Sequence, residues 1–326
     1  MKFRYTDLYK SGILYQTSKT LKSKLTSCNL CPHNCNTNRV DGNLGFCKTT
    51  DKILIASYCD HHGEEPPISG TNGSGTIFFA NCNLHCVYCQ NHQINQNKDL
   101  SGFSEYSAEQ LAEIMIKLQS YKVHNINFVS PSHYVAQITE AIYFAADKGL
   151  NIPLVYNSNG YDSINSIKYL DGIIDIYLPD IKYASDTYAR KYSAAKNYVS
   201  SSRLAITEMY KQVGDLVTDE NGIAKSGLII RLLVLPNDIS ETIDTLRWIK
   251  ANLGTSVFIS LMSQYYPANK ADNIPLLSRK LNYREYQKVE DELIKLGFIN
   301  GFLQGMEAPD YYRPDFNSDI HPFEKR

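Results

Sequence analysis

The sequence has no uninterrupted apolar run of the length that a membrane span requires. A span needs roughly 18 consecutive apolar residues, and the best candidate, GLIIRLLVLP, is interrupted by Arg231. The first residues, MKFRYTDLYKSG, are polar and contain no apolar stretch of the signal-peptide kind. We therefore expect no membrane partner and, by default, a cytoplasmic location.

The sequence also lacks an excess of charge of one sign. It has 33 Lys and Arg residues against 34 Asp and Glu residues, so electrostatics give no reason to expect a nucleic-acid partner. It contains no internal repeat and no low-complexity segment. Hydrophobic residues make up 43% of the chain and charged residues 21%, as in ordinary globular proteins. Its 326 residues fit one α/β barrel with an appendage.

Short apolar segments alternate with amphipathic segments from about residue 76 onward. Nearly continuous apolarity is typical of parallel strands that are buried on both faces. SAEQLAEIMIKLQSY begins with Ser107 and Gln110 at the spacing of a capping box, and HYVAQITEAIYFAADKG ends at Gly149, so both are predicted as helices. The predicted strands are TIFFA (76–80), INFVS (126–130), IPLVYN (152–157), IIDIYL (173–178), LIIRLLVL (228–235) and VFISLM (257–262).

Strand–helix alternation over about six units predicts a parallel βα architecture. The predicted fold class is α/β, a partial parallel (β/α)6-type TIM barrel with an N-terminal cysteine-rich extension. Residues 1–74 are predicted to form that extension, with a four-cysteine metal module, residues 75–305 the barrel, and residues 306–326 a C-terminal tail. Apart from one strand, KILIASY, the extension is predicted to be irregular.

Seven of the eight cysteines fall into two clusters, and without a secretory signal such clusters indicate metal or redox chemistry. The loop NCNLHCVYCQN, directly after TIFFA, holds Cys82, Cys86 and Cys89. One short loop with this spacing can surround a [4Fe–4S] cluster, which normally takes four cysteines. With three, one iron keeps an open coordination site. Two alternatives are zinc bound by these cysteines with His85 or His92, and three thiols that merely pack in the core.

Cys-x3-Cys-x2-Cys with an aromatic residue, Tyr88, before the last cysteine resembles the signature of the radical S-adenosylmethionine (SAM) superfamily. PPISGTNGSGTIFFANCNLHCVYCQNHQIN resembles, more narrowly, the PflX-like branch related to pyruvate formate-lyase activating enzymes. The resemblance continues through VSPSHYV, YNSNGYDS, YLPDIKY, RLLVLPN and LMSQYYPA. It implies that the open iron binds SAM, and that reductive cleavage of SAM gives a 5′-deoxyadenosyl radical that abstracts hydrogen from a substrate.

The resemblance also implies which other residues hold SAM, on the strand ends that follow the cysteine loop. The superfamily usually has a Gly-Gly-Glu-like stretch after the second strand, whereas this chain has FVSPSHY, so Ser130, Ser132 or His133 would serve instead. Lys182 would bind the methionine carboxylate or the ribose, with Asp180 orienting it. The other expected cofactor-binding or cavity residues are Asn157, Ser158, Asn159, Arg231, Gln264 and Tyr265. A polar turn at 157–159 and an exposed Asp180–Lys182 salt bridge are the simpler alternatives.

The extension contains a complete set of four cysteines, Cys28, Cys31, Cys35 and Cys47. Four sulfurs form a closed site, either a second iron–sulfur cluster or a structural zinc site. The spacing does not decide between them, and His33 is a possible substitute ligand. Cys59 stands apart and is expected to be a free buried thiol.

Two classes of function follow from these motifs. The first is a radical SAM enzyme, with activation of a glycyl-radical enzyme as one subclass; it would need a one-electron donor such as flavodoxin or ferredoxin and would act on a small molecule, a peptide or a protein. The alternative is a non-catalytic iron–sulfur or zinc protein that transfers electrons or binds a partner.

Overall fold

The structure is a computed structural model that describes residues 3–96, 103–311, 313–316 and 322–323. Parts of the predicted C-terminal tail, residues 312, 317–321 and 324–326, lie outside the described residues.

The described residues contain one mixed sheet of ten strands. Along the sheet the strands run β10-β9-β8-β6-β5-β4-β2-β1-β3, and β7 pairs with β8 alone. The strands are β1 (Ile53–His61), β2 (Ser74–Phe79), β3 (Glu105–Tyr106), β4 (Ile126–Val129), β5 (Leu154–Asn157), β6 (Ile176–Tyr177), β7 (Val217–Thr218), β8 (Ala224–Leu233), β9 (Phe258–Met262) and β10 (Gly301–Leu303).

The six predicted barrel strands are confirmed as β2, β4, β5, β6, β8 and β9, which pair in parallel in that order. A seventh parallel strand, β10, extends the row beyond β9. On the other side β1 pairs antiparallel with β2, and β3 with β1. The sheet is not closed, and the predicted partial barrel is therefore confirmed.

Helices cover the outer face of the sheet. The capping box predicted at Ser107 is present, because its side chain accepts a hydrogen bond from the Gln110 amide. Within the part of the chain that the structure describes, none of the helices combines the length and apolarity needed to span a bilayer. The α-helices are α1 (Arg4–Lys10), α2 (Ile13–Ser23), α3 (Pro66–Ser69), α4 (His92–Asn95), α5 (Ala108–Ser120), α6 (Val135–Asp147), α7 (Ile164–Lys168), α8 (Asp186–Ser193), α9 (Tyr198–Val213), α10 (Thr242–Leu253), α11 (Tyr283–Leu296) and α12 (Ala308–Tyr311).

The prediction that the extension is irregular was wrong for residues 4–23, which form α1 and α2. Leu14, Ser18 and Leu21 lie on one buried face of α2 at helical spacing, and this helix packs against α6. Both leucines belong to the same hydrophobic core as the barrel strands. These short helices were not predicted because polar residues and Gly12 interrupt their apolar periodicity. Packing against α6 supplies the stabilisation that the isolated segment lacks.

Sharp turns follow the carboxyl ends of three barrel strands. Asn81, Ser130 and Gly160 all have left-handed backbone, with φ of 67°, 59° and 74°. At Gly160 a Cβ atom would lie only 2.1 Å from the backbone oxygen of Asp180. The segment after β5 can therefore approach the segment after β6 only because residue 160 has no side chain.

We expect Gly160→Ala to lower the free energy of unfolding by about 3 kcal/mol, since it combines left-handed strain with a steric clash. Gly149→Ala is a matched control because Gly149 also has positive φ but nothing lies within 4 Å of the added Cβ. This control should lose about 1 kcal/mol. Urea denaturation measures both values, and equal losses would show that the close approach to Asp180 is unimportant.

Candidate active site

A cavity of about 210 Å³ opens inside the barrel, at the carboxyl ends of the parallel strands. Side chains from the cysteine loop and from the ends of β4, β5, β6, β8 and β9 form its wall. The structure thus brings together residues that are far apart in the sequence. The predicted site residues that line it are Cys82, Cys86, Cys89, Ser130, Asn157, Ser158, Asn159, Asp180, Lys182, Arg231 and Gln264.

The three loop cysteines are free thiols within this wall, and each accepts a hydrogen bond from a different neighbour. Asn159 Nδ2 donates to Cys82 Sγ at 3.3 Å, and Ser193 Oγ donates to Cys86 Sγ at 3.0 Å. A further donor, Asn95 Nδ2, lies 3.8 Å from Cys89 Sγ. These contacts hold the three sulfur atoms on one side of the cavity.

Burial raises the pKa of the Cys82 thiol to about 11 and that of Cys89 to about 12. It also raises the pKa of Cys86, partly offset by the nearby Lys182 ammonium. Thiols of this kind hold their protons at neutral pH unless a metal replaces them. Buried thiols that share one cavity are a donor set that fits an iron–sulfur cluster.

The histidines of the zinc alternative lie away from the cavity. His85 stacks on Phe46 with ring centroids 4.3 Å apart, and the His92 ring is 3.1 Å from the backbone oxygen of Cys89. Among the described residues no three His, Cys, Asp or Glu side chains converge on the position of a single metal ion. A cubic cluster does not need such convergence because its cysteines ligate different irons.

A network of charged side chains lies beside the cysteines in the same cavity. Arg231 Nε donates to Asp180 at 2.8 Å, Arg231 Nη2 donates to Asn157 at 2.6 Å, and Lys182 Nζ donates to Asp180 at 2.6 Å. Burial alone would raise the pKa of Asp180, but the two cations outweigh burial and lower it. The Asp180–Lys182 pair is buried rather than exposed, and it faces the cavity.

Two further acids line the cavity, and sequence reasoning missed both. Glu64 and Glu65 lie between β1 and β2, in the segment DHHGEEPP. Glu64 Oε1 accepts from Asn127 at 3.0 Å and from Asn157 at 3.3 Å, and its Oε2 lies 3.4 Å from Arg231 Nη1. Burial raises the pKa of both acids, and Arg231 opposes it. The feature of the sequence that could have indicated these acids is their position directly before two prolines, ahead of the predicted strand TIFFA.

Three residues expected near the cofactor lie outside the cavity wall. His133 is fully buried, with Nε2 3.1 Å from the backbone oxygen of Ala80, and burial lowers its pKa to about 3. Ser132 is buried beside it, and Tyr265 Oη donates to the backbone oxygen of Leu277 at 2.6 Å. His133 therefore contacts the backbone that leads into the cysteine loop, and none of these three residues lines the cavity.

Comparison with known protein families identifies the superfamily to which this chain belongs. The model of the radical SAM superfamily matches residues 76–249, more than half of the chain, including the whole cysteine loop. The chain belongs to the radical SAM superfamily. Members of this superfamily use a [4Fe–4S] cluster and SAM, and the three buried thiols are the donor set that such a cluster requires.

The chain is also similar to individual proteins. The chain is 31% identical over 295 residues to "Uncharacterized protein MJ0674" of Methanocaldococcus jannaschii, covering 88% of this chain and 80% of that protein. Methylornithine synthase (PylB) superimposes with a TM-score of 0.46 at 13% identity, over 78% of this chain and 75% of that one. The hydrogenase maturase HydG from Carboxydothermus hydrogenoformans gives a TM-score of 0.45 at 15% identity, over 68% of this chain and only 56% of that one.

The four cysteines of the extension lie together beside the radical SAM loop. Cys31 is electrostatically coupled to Cys28, Cys35 and Cys47, and burial is the main cause that raises its pKa. A Cβ on Gly45 would lie 2.9 Å from Cys35 Sγ and 3.9 Å from Cys47 Sγ. All four are free thiols, and Cys59, buried against the β2 side of the barrel, is a separate free thiol.

Aromatic stacking joins this four-cysteine module to the loop. Phe46 stacks between His33, at 3.7 Å, and His85, at 4.3 Å between ring centroids. His33 Nε2 also lies 2.8 Å from the backbone oxygen of Asn83, between the loop cysteines. Arg39, fully buried, donates to the backbone oxygen of His133 at 2.8 Å. The module is therefore packed directly on the backbone that holds the radical SAM site.

We expect Arg231→Met to lower the free energy of unfolding by about 3–5 kcal/mol, because it removes the cation that pairs with Glu64 and leaves Asp180 with Lys182 alone. Arg247→Met is the control: Arg247 also forms an ion pair, with Glu292, but its side chain is 57% exposed. This control should lose less than about 1 kcal/mol. Chemical denaturation tests the difference, and adding Glu64→Gln to Arg231→Met should restore part of the loss. Equal losses in the two single variants would contradict the buried network.

Proposed function

We propose that this protein is an enzyme that reductively cleaves SAM at a [4Fe–4S] cluster held by Cys82, Cys86 and Cys89. The observation that supports the proposal is the placement of three thiols, two buried and one half-buried, around one cavity that also carries oriented polar and charged groups. When bound, the cluster supplies the electron that converts SAM into methionine and a 5′-deoxyadenosyl radical, which abstracts hydrogen from the substrate.

The chain's own residues bind and orient the reactants. Lys182 projects a buried ammonium into the cavity, and Asp180, which also pairs with Arg231, holds it in place. We assign Lys182 to the carboxylate or ribose of SAM, and Asn157, Ser158 and Asn159 to its polar groups. The low exposure of this wall excludes water from a reactive radical.

The decisive measurement is anaerobic formation of 5′-deoxyadenosine. Protein reconstituted with iron and sulfide, reduced with dithionite and supplied with SAM should release the nucleoside. The variant with Cys82, Cys86 and Cys89 all changed to Ala should release none, since it has no ligands for the cluster. Cys59→Ala is the matched control, because Cys59 is also buried but does not line the cavity.

The competing function is that of a non-catalytic metalloprotein. Absence of nucleoside from folded protein that carries about four irons at the loop would refute the enzyme proposal and support the metalloprotein instead. Nucleoside formation by the triple-alanine variant would show that the chemistry occurs elsewhere or is a contaminant.

We further propose that Cys28, Cys31, Cys35 and Cys47 ligate a second [4Fe–4S] cluster. The proposal is supported by the four free thiols being grouped and by their direct packing on the radical SAM loop through His33. His33 is engaged with the backbone of Asn83, so the four cysteines form the donor set without it.

Metal analysis tests this second cluster. Wild-type protein should bind about eight irons, and the variant with Cys28, Cys31, Cys35 and Cys47 changed to Ser about four, because only one of two clusters is lost. The reciprocal variant, without the three loop cysteines, should also retain about four irons. A finding of one zinc and only about four irons per wild-type chain would show that the four cysteines bind zinc and not a second cluster.

The narrower assignment to the PflX-like branch rests on the resemblance of PPISGTNGSGTIFFANCNLHCVYCQNHQIN to that branch, which continues through YNSNGYDS and YLPDIKY. We propose activation of a glycyl-radical enzyme, or modification of a peptide, as the subclass to test once SAM cleavage is established. Flavodoxin or ferredoxin is the proposed electron donor. Electron paramagnetic resonance would detect a glycyl radical on such a partner protein after it is mixed with the reduced enzyme and SAM.

A further inference from the structure

The cavity has a floor that the radical SAM loop does not use. Glu64 contacts Asn127, which lies two residues before the carboxyl end of β4, whereas the cysteine loop begins beyond the end of β2. Glu64 and its neighbour Glu65 therefore enter the barrel deeper than the cysteines. We call the set Glu64, Glu65, Asn127 and Ser260 the acidic floor.

Three oxygen atoms of the acidic floor are buried without a hydrogen-bond partner among the described residues. They are Glu65 Oε2, Asn127 Oδ1 and Ser260 Oγ. Their side chains are 6%, 0% and 1% exposed, and Glu65 and Ser260 line the cavity. Buried polar atoms are nearly always hydrogen-bonded, so this group indicates a missing partner.

The neighbours favour a hydrogen-bond donor as this partner. Asn127 Nδ2 donates to the Glu64 carboxylate at 3.0 Å. The opposite amide orientation would turn Asn127 Oδ1 against that carboxylate, so the unpartnered atom is an acceptor. The Ser260 hydroxyl lies beside the Glu65 carboxyl and can accept as well as donate. Glu65 Oε2 is an acceptor when ionised.

The charges around the cavity favour a cation at this place. Apart from the thiols, Tyr88 and His61, the ionisable residues that line it are Glu64, Glu65, Asp180, Lys182 and Arg231. Three carboxyl groups thus face two cations. Arg231 is engaged by Asp180, Asn157 and Glu64, and Lys182 by Asp180. Arg231 also acts on Glu65 electrostatically, but among the described residues no ion pair joins Glu65 to either cation.

We propose that Glu65 and Ser260 form a substrate subsite that binds a cationic nitrogen group, such as an ammonium, at the bottom of the barrel. The inference rests on the proposed function, because it names the part of the substrate that is anchored beneath the site of radical formation. A cationic nitrogen supplies both the donors and the positive charge that the acidic floor lacks. A carboxylate or phosphate would meet Glu65 with like charge and find Arg231 already occupied.

Isothermal titration calorimetry with n-butylamine tests the subsite, using cluster-loaded, oxidised protein at neutral pH without SAM. The wild type should bind n-butylamine, and neither n-butanol nor butyrate should compete. Glu65→Gln should weaken amine binding about tenfold, and Ser260→Ala about threefold, because they remove a charged and a neutral acceptor respectively. Glu220→Gln, in an exposed turn, is the matched control and should leave both amine binding and 5′-deoxyadenosine formation unchanged.

The outcomes separate this subsite from the proposed function. Circular dichroism and iron content first establish that Glu65→Gln and Ser260→Ala are folded and loaded. Amine affinity that is equal in the wild type and in both variants, or equal heats from n-butanol, would overturn the subsite. Absence of amine binding by the folded wild type would show that the floor holds only water. Amine binding without any 5′-deoxyadenosine formation would instead refute the proposed function while the subsite stands.

Discussion

The arrangement of the barrel interior depends on the pairing of one buried cation. Arg231 lies near the carboxyl end of β8, within the apolar stretch LIIRLL, and cannot be buried without partners. Its guanidinium contacts Asp180 after β6, Asn157 at the end of β5 and Glu64 from the β1–β2 connection. One side chain thereby sets the positions of three segments relative to one another.

Above and below this cation the barrel differs in character. The lower part is filled by an apolar cluster around Ile68, Val155 and Ile229. The upper part holds the cysteine loop and an apolar cluster rich in tyrosines, including Tyr88 and Tyr183, whose hydroxyls are 2.7 Å apart. Between them lies a layer of hydrogen-bonded polar side chains. Electrostatic interactions in such a layer are strong, so the orientation of Lys182 and the acids is well defined.

The four-cysteine module extends this site rather than forming a distant appendage. It rests on the backbone of the loop through His33 and on the start of α6 through Arg39. The helices before it, α1 and α2, share the barrel's hydrophobic core. Loss of the module would therefore expose the loop that carries Cys82. The two groups of thiols thus belong to one packed unit.

The local pattern of the sequence was sufficient for the parallel strands, for the capping box at Ser107 and for the cysteine spacing. These features depend on near neighbours: a strand on continuous apolar residues, a cap on residues three apart, and a cluster loop on eight positions from Cys82 to Cys89. They were predictable because the physical interaction is contained in the segment itself. The short strand β10 and the helices α1 and α2 were not, since the neighbouring strand β9 and the helix α6 stabilise them.

Only the tertiary structure decided which polar residues face the cavity. Ser130 and His133 occur in one heptapeptide, FVSPSHY, yet the first lines the cavity and the second is buried behind the loop, because the left-handed backbone at Ser130 redirects the chain. Glu64 and Glu65 resemble ordinary surface acids in the sequence, and they become functional candidates only where Arg231, 167 residues away from Glu64, lies beside them. Composition and spacing determined the kind of chemistry that this chain supports. The residues proposed to bind the substrate are brought together by pairing of buried charges that lie far apart in the sequence. No local sequence pattern predicts that pairing.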